Sequence, residues 1–282
     1  MKDTINLYNH WHYGDIFLSR MLIKGLSEKF KINFYHNLKP GLFKDLDDVK
    51  EIIGVPKNFS LHNSNLENNI VNTWIGQNNM SYINTLDSQG CSFKNYMKLI
   101  RDVLNFYKIE IKDEEYYLPE IFYEKLPNIS KIKSNFINIK QNFNKCILIS
   151  NGDVLSRQSI NFDFKPIIEK LSYDFPNYLF LITKDIIHNK KNIFYTGNLT
   201  NILPDLLYIS YFSTLSEVLI GRASSPYTYF VTKENLTNKD KIIISFNNKK
   251  SEGYFYENVQ PKFVWSNNYD LNNIYLTIKN NI

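Results

Sequence analysis

Several common classes of protein are excluded by what this sequence lacks. Its 282 residues contain only two cysteines, Cys91 and Cys146. Neither stands at a metal-ligand spacing, and a reducing compartment fits such sparse usage. Cys146 lies in an apolar run and reads as a small buried hydrophobe. Residues 1–10 have no apolar core of the signal-peptide kind. No stretch approaches the roughly 20 apolar residues of a transmembrane helix. A soluble cytoplasmic protein is therefore expected. No G-x-G-x-x-G follows a candidate first strand, which argues against a dinucleotide-dependent oxidoreductase. No G-x-x-x-x-G-K is present, which argues against a P-loop kinase. The formal charge is +5, and lysine and arginine are spread along the chain rather than gathered in a block. Nucleic acid is not an expected partner. A mildly basic protein suits a phosphorylated ligand, and peripheral contact with an anionic membrane surface stays open.

What is present is core-forming material. Hydrophobic residues make up 43% of the chain, enough for one large domain or two of ordinary size. Ile5–Tyr8 reads as a first strand, and apolar residues from Ile16 to Leu26 recur at helical spacing, so a helix is expected over about 15–30. Ile32–Tyr35 reads as a second strand. This β-loop-α-β order opens a parallel α/β sheet. Residues 42–53 mix acids, lysines and apolar residues and read as a helix. Within it, Asp45-Leu46-Asp47 has the form of a metal-binding Asp-x-Asp. Positions i and i+2 do not share a helix face, so a solvated surface is the better reading. Further along, 70–75 reads as a strand and 92–107 as an amphipathic helix.

After a mixed connection at 112–143 the pattern begins again. Strands are expected at 145–150, 178–183, 193–195, 218–220, 242–246 and 262–265. Helices are expected at 164–175, 203–213 and from 270. Two Rossmann-like domains follow from this repetition, 1–141 and 142–282, with the last helix able to cross back onto the first. Ligands of such sheets bind at the carboxyl ends of the strands. The loops at 9–15, 151–157, 183–185, 196–200 and 221–226 all leave strand ends, so they are expected to face one cleft.

Glu217–Leu236 carries the clearest local signal. An apolar run, Val218–Ile220, is stopped by Gly221. Arg222, Ala223, Ser224 and Ser225 follow, and Pro226 suits the first turn of a helix. A strand, a small-residue loop and a helix N-terminus favour an anion such as a phosphate or diphosphate. An ordinary turn capped by serine is the competing reading. At the first loop, His10 and His12 are spaced i and i+2, too sparse for a metal pair without an acidic or cysteine partner nearby. Asp15 reads there either as a reactive carboxylate or as a first-turn helix acid.

The second half resembles the donor half of GT-B glycosyltransferases, the heptosyltransferase-like group in particular. The resemblance rests on Thr196-Gly197-Asn198-Leu199, on Ser210–Ser213, on the strand ending at Gly221, and on Ser224-Ser225-Pro226 before a helix. Gly14-Asp15 after the first strand is similar to the Gly-Asp opening of the same group. Ser225 stands where that group often has glycine, and Tyr229 or a neighbour replaces a histidine. Arg157 is the nearest basic residue to a lysine often found after the donor domain's first strand.

The resemblance implies a metal-independent glycosyltransferase without a bound cofactor, using a nucleotide-sugar donor and a glycan or lipid- or protein-linked acceptor. It implies Asp15 as general base, with His12 beside it, and His10, Trp11 and Tyr13 toward the acceptor. Arg157 and Arg222 are expected on the diphosphate with Gly221, Ser224, Ser225 and Tyr227. Asn151, Thr183, Lys184, Gly197, Asn198 and Glu234 are expected around base, ribose or sugar. Trp11 and Trp74 are candidates to stack on a sugar. Two other functions remain open: a non-hydrolysing nucleotide-sugar epimerase, and a non-catalytic nucleotide- or sugar-binding module.

Overall fold

A computed structural model describes residues 2–75, 93–156, 158–201, 206–250 and 260–282. The chain divides into two compact units, Met1–Phe122 and Tyr123–Ile282.

In the first unit, β1 (Asp3–Asn9) runs into α1 (Tyr13–Leu18) and α2 (Arg20–Leu26), and then β2 (Phe30–His36), β3 (Val49–Ile53), β4 (Ile70–Asn72) and α3 (Phe93–Phe106). All pairings are parallel, in the order β3-β2-β1-β4, with Ile5 opposite Ile32 and Leu7 opposite Val71. Ile5, Leu7, Ile32 and Phe34 are buried in the sheet, and α2 covers it with Met21, Leu22 and Leu26. The helix expected over 15–30 ends earlier, because Phe30 already belongs to β2. The helix expected at 42–53 is absent. Residues 42–48 form turns, and Val49–Ile53 is an edge strand. Its cause is Asp45, which is fully buried and receives both guanidinium nitrogens of Arg20 at 2.6 and 2.9 Å. Asp45-Leu46-Asp47 is thus neither a helix surface nor a free metal motif, since its first acid is a buried ion-pair partner.

In the second unit, α4 (Ile129–Lys140) precedes β5 (Lys145–Ser150), α5 (Lys165–Asp174), β6 (Tyr178–Ile182), β7 (Ile193–Tyr195), α6 (Thr196–Thr200) and α7 (Leu206–Leu215). Then come β8 (Val218–Gly221), α8 (Ser225–Thr228), α9 (Lys233–Leu236), β9 (Ile242–Phe246), β10 (Lys262–Ser266) and α10 (Leu271–Lys279). The six strands are parallel in the order β10-β9-β8-β5-β6-β7. This is the doubly wound Rossmann order, with β5 as the central first strand.

Two expectations about the domains change. The helix α4, which sequence patterning leaves within a connection, buries Ile132 and Phe136 and sets Phe136 5.7 Å from Phe212 of α7. The division therefore falls before α4 rather than after 141. The last helix stays on its own unit: Ile274 and Ile278 join a buried cluster with Ile168, Leu171 and Ile220.

Candidate functional site

In open parallel sheets a ligand crevice forms where consecutive connections leave in opposite directions. Each unit has one such point among its described strands. In the first it lies between β1 and β4, and in the second between β5 and β8.

At the β1/β4 point the chain is held by asparagines. Asn9 is fully buried; its carbonyl oxygen accepts from the Trp11 N–H at 2.9 Å and its amide donates to Thr73 Oγ1 at 3.1 Å. Thr73 Oγ1 is 2.7 Å from Ser19 Oγ. The loop so fixed delivers His12 as N-cap of α1 and Asp15 in its first turn. The Asp15 carboxylate accepts from the His12 backbone N–H at 3.3 Å and lies 3.9 Å from the His12 imidazole. Its side chain is 19% exposed, and His12 is largely open to solvent. Burial raises the Asp15 carboxyl above the ordinary carboxylate value, while the His12 N–H and ring pull the other way. A carboxylate of raised pKa that still reaches solvent is suited to take a proton. Tyr13, half-buried, is the first residue of α1.

The expected acceptor residues His10 and Trp11 belong to the same place. Trp11 stacks on Trp74 with ring centroids 4.4 Å apart. His10 packs edge-on to Tyr8 at 5.5 Å. His62, which sequence reasoning missed, lies 5.8 Å from the Trp74 ring. No local pattern marks His62; it arrives on the loop between β3 and β4.

At the β5/β8 point Ser150 is paired in register with Gly221, and the hydroxyls of Ser150 and Ser224 are 2.9 Å apart. Gly221 is required by space, since a Cβ would come 2.9 Å from that of Ser150 and 2.8 Å from the Tyr227 ring. The helix expected after Pro226 is a single turn, so its dipole is small. Of the loop, Ser225 and Pro226 reach the surface most, and Ser224 is nearly buried.

Two donor assignments change here. Tyr227 was expected on the phosphates, but its ring is fully buried beneath Gly221, and burial drives its phenol far above the usual range. Arg222 was expected in a ligand crevice and is instead fully buried. Its guanidinium donates to the carbonyls of Gly152 at 2.7 Å and Phe162 at 3.1 Å, between the rings of Phe162 and Phe164 at 4.6 and 5.1 Å. Two aromatic planes and two carbonyl oxygens outweigh solvent for this cation. Arg157 lies outside the described residues.

Of the other expected donor residues, Asn151, Thr183, Lys184, Gly197 and Asn198 follow β5, β6 and β7, and Glu234 lies beyond β8. Asn151 accepts from the backbone N–H groups of Thr183 (3.0 Å) and Lys184 (2.8 Å), which ties the ends of β5 and β6 together. Lys184 is exposed and pairs with Asp153 at 3.0 Å. A cavity of about 560 Å³ opens here, with Asn151, Asp153, Lys184, Ile186 and Ile187 in its wall. Gly197 and the exposed Asn198 lie in the short α6, and Glu234 lies half-buried in the first turn of α9. Among the described residues, no group of three or more His, Cys, Asp or Glu is arranged to hold a metal ion. No helix among them is long and apolar enough to cross a membrane.

No family model matches the chain, and no curated protein matches it in sequence. Solved structures do match in fold. A glycosyltransferase of family 9 from Veillonella parvula DSM 2008 is similar over 100% of this chain and 92% of its own, with TM-score 0.56 and 11% identity. The chain has the GT-B fold. The E. coli heptosyltransferase WaaC, solved with ADP, is a second such GT-B neighbour, covering 99% of this chain and 97% of its own at TM-score 0.54 and 7% identity. At these identities the likeness speaks for the GT-B framework, and the individual residues stand on their own geometry.

Proposed function

We propose that the protein is a metal-independent glycosyltransferase that moves a sugar from a nucleotide-sugar donor to a hydroxyl acceptor. The observation that carries this reading is Asp15. It is a partly exposed carboxylate of raised pKa at the β1/β4 crevice, in a chain that follows two glycosyltransferases in fold over nearly its whole length. The acceptor oxygen attacks the anomeric carbon, the bond from that carbon to the diphosphate breaks, and Asp15 takes the hydroxyl proton. His12 orients Asp15, and His10, Trp11 and Tyr13 contact the acceptor.

The donor occupies the β5/β8 crevice of the second unit. Gly221, Ser224 and Ser225 meet the diphosphate through hydroxyl and backbone groups. Asn151, Thr183, Lys184, Gly197, Asn198 and Glu234 surround the nucleoside and sugar. Arg222 supports the crevice from within by holding the 152–162 loop. We also place the protein in the cytoplasm, where a buried free thiol such as Cys146 stays reduced.

Calorimetry with a panel of nucleoside diphosphates, followed by incubation of the matching nucleotide sugars with and without glycan acceptors, tests the reading. Binding of a diphosphate and acceptor-dependent transfer that survives a chelator are expected. Conversion of a donor sugar without acceptor would instead mark an epimerase. Absence of any nucleotide binding would leave only a sugar-binding module.

A further inference from the structure

Two short segments at neighbouring strand ends repeat one arrangement. Asn9-His10-Trp11 follows β1 and Asn72-Thr73-Trp74 follows β4. In each, a buried asparagine accepts from the backbone N–H of the tryptophan two residues on, at 2.9 Å in the first and 3.0 Å in the second. Such Asx turns fix where the following side chain is delivered. Because β1 and β4 are adjacent and parallel, the two turns bring Trp11 and Trp74 into a stack with planes 29° apart.

The same asparagine builds the wall beside them. Asn72 donates to the Leu61 carbonyl at 3.1 Å, and the Tyr8 hydroxyl meets the carbonyls of Ser60 and Asn63 at 2.8 and 2.6 Å. These bonds pin the loop that carries His62 against Trp74. The backbone of Phe59 and Ser60 lies beside His10. Its Nε2 is buried without a partner among the described residues. Trp11 Nε1 and His62 Nδ1 are likewise buried without a partner among the described residues. Burial pushes His10 below its usual value, and among the described residues no lysine or arginine acts on it.

We propose that the paired Asn-x-Trp turns, with His10 and His62, form a binding site for a neutral sugar ring on the first unit. Indole surface suits the C–H face of a pyranose. The hydroxyls of a sugar both donate and accept, and so answer the Trp11 N–H and the His10 Nε2 in either tautomer. A phosphate or carboxylate finds no cation at His10. As the acceptor site it rests on the transferase reading; as a sugar site it does not.

Saturation-transfer NMR and tryptophan fluorescence test it with the methyl glycosides of glucose, galactose, mannose and N-acetylglucosamine, and with N-acetylneuraminate as the anionic comparator. At least one neutral glycoside should bind and the anion should not. Trp74→Ala and His10→Ala should each weaken binding about tenfold or more. Trp74→Phe and His10→Gln, which keep a ring and a hydrogen-bonding group, should recover part of it and guard against misfolding. Wild-type protein that binds none of the neutral glycosides, or prefers the anion, overturns the proposal. So do folded Trp74→Ala and His10→Ala variants that both bind like wild type. Nucleoside diphosphate binding, measured on the same samples, separates the two ideas. Nucleotide binding without glycoside binding removes this site and keeps the transferase reading, and the converse removes the transferase reading and keeps the site.

Discussion

The β1/β4 and β5/β8 crevices share a topology and differ in how their polar groups are paired. At β5/β8 most side-chain groups answer one another: Ser150 meets Ser224, Asn151 spans to the backbone of residues 183 and 184, and Arg222 gives its two terminal nitrogens to carbonyls, with its Nε left without a partner among the described residues. At β1/β4 the anchors, Asn9, Thr73 and Ser19, are equally well paired, but the rings above them carry nitrogens without partners among the described residues. A paired crevice presents backbone and small hydroxyls, which suit a charged group of fixed shape. An incompletely paired one presents ring edges and a carboxylate, which suit hydroxyls and proton transfer.

The comparison breaks most visibly if chemistry is moved off the first unit. Asp15→Asn should lower single-turnover transfer by roughly 10²–10⁴-fold while calorimetric binding of the nucleoside diphosphate stays unchanged. Normal transfer by this variant would take the base away from the β1/β4 crevice.

Next in size is Arg222→Met. It strips two charge-assisted bonds and leaves two partly buried carbonyls unanswered, so the second unit should lose roughly 3 kcal/mol in urea unfolding. Limited proteolysis should then cut first within 152–162. A variant that unfolds like wild type yet loses diphosphate affinity would return Arg222 to the ligand.

Asn151→Ala has a smaller expected cost, about 2 kcal/mol, because it frees two backbone N–H groups beside solvent. Diphosphate affinity should fall with it, since Thr183 and Lys184 lose their tether. Unchanged affinity would confine the donor to the Ser224–Ser225 side.

The smallest effect is on the pH dependence of stability. Asp15 has a raised pKa in the folded chain, so the folded state holds that proton more readily than the unfolded one. Its contribution to stability is present below the ordinary carboxylate range and is lost as pH rises through the folded value. Asp15→Asn should therefore melt slightly higher than wild type at neutral pH, with the gap closing on acidification. A gap of the opposite sign would mean that ionised Asp15 is well solvated.

Much of this was legible from spacing. The β-loop-α rhythm gave both parallel sheets, and apolar runs such as 145–150 and 218–220 fell on central strands because both faces of those strands are buried. The strand at 49–53 was hidden because an edge strand is half-solvated, and its mixed residues imitate a helix surface. Arg222 looked like a phosphate ligand because a sequence shows a cation beside serines. It does not show the two phenylalanines, sixty and fifty-eight residues earlier in the chain, that enclose it. Asp15 was legible as a first-turn acid, yet its degree of burial was not. The Asn-x-Trp pair was in plain view as letters. Its meaning waited on the knowledge that β1 and β4 are neighbours.

The docking of α10 bears on how the protein is made. Tyr275 and Lys279 reach Asp174 of α5, with 101 residues separating Tyr275 from that carboxylate, and Ile274 and Ile278 complete the core behind the sheet. During synthesis the first unit has all its described strands once β4 has emerged. The second must wait with an open apolar face on α5 until α10 leaves the ribosome, a long-range closure of the kind that folds slowly. Truncation within 271–279 should thus harm yield through aggregation of nascent chains more than it harms the first unit's fold.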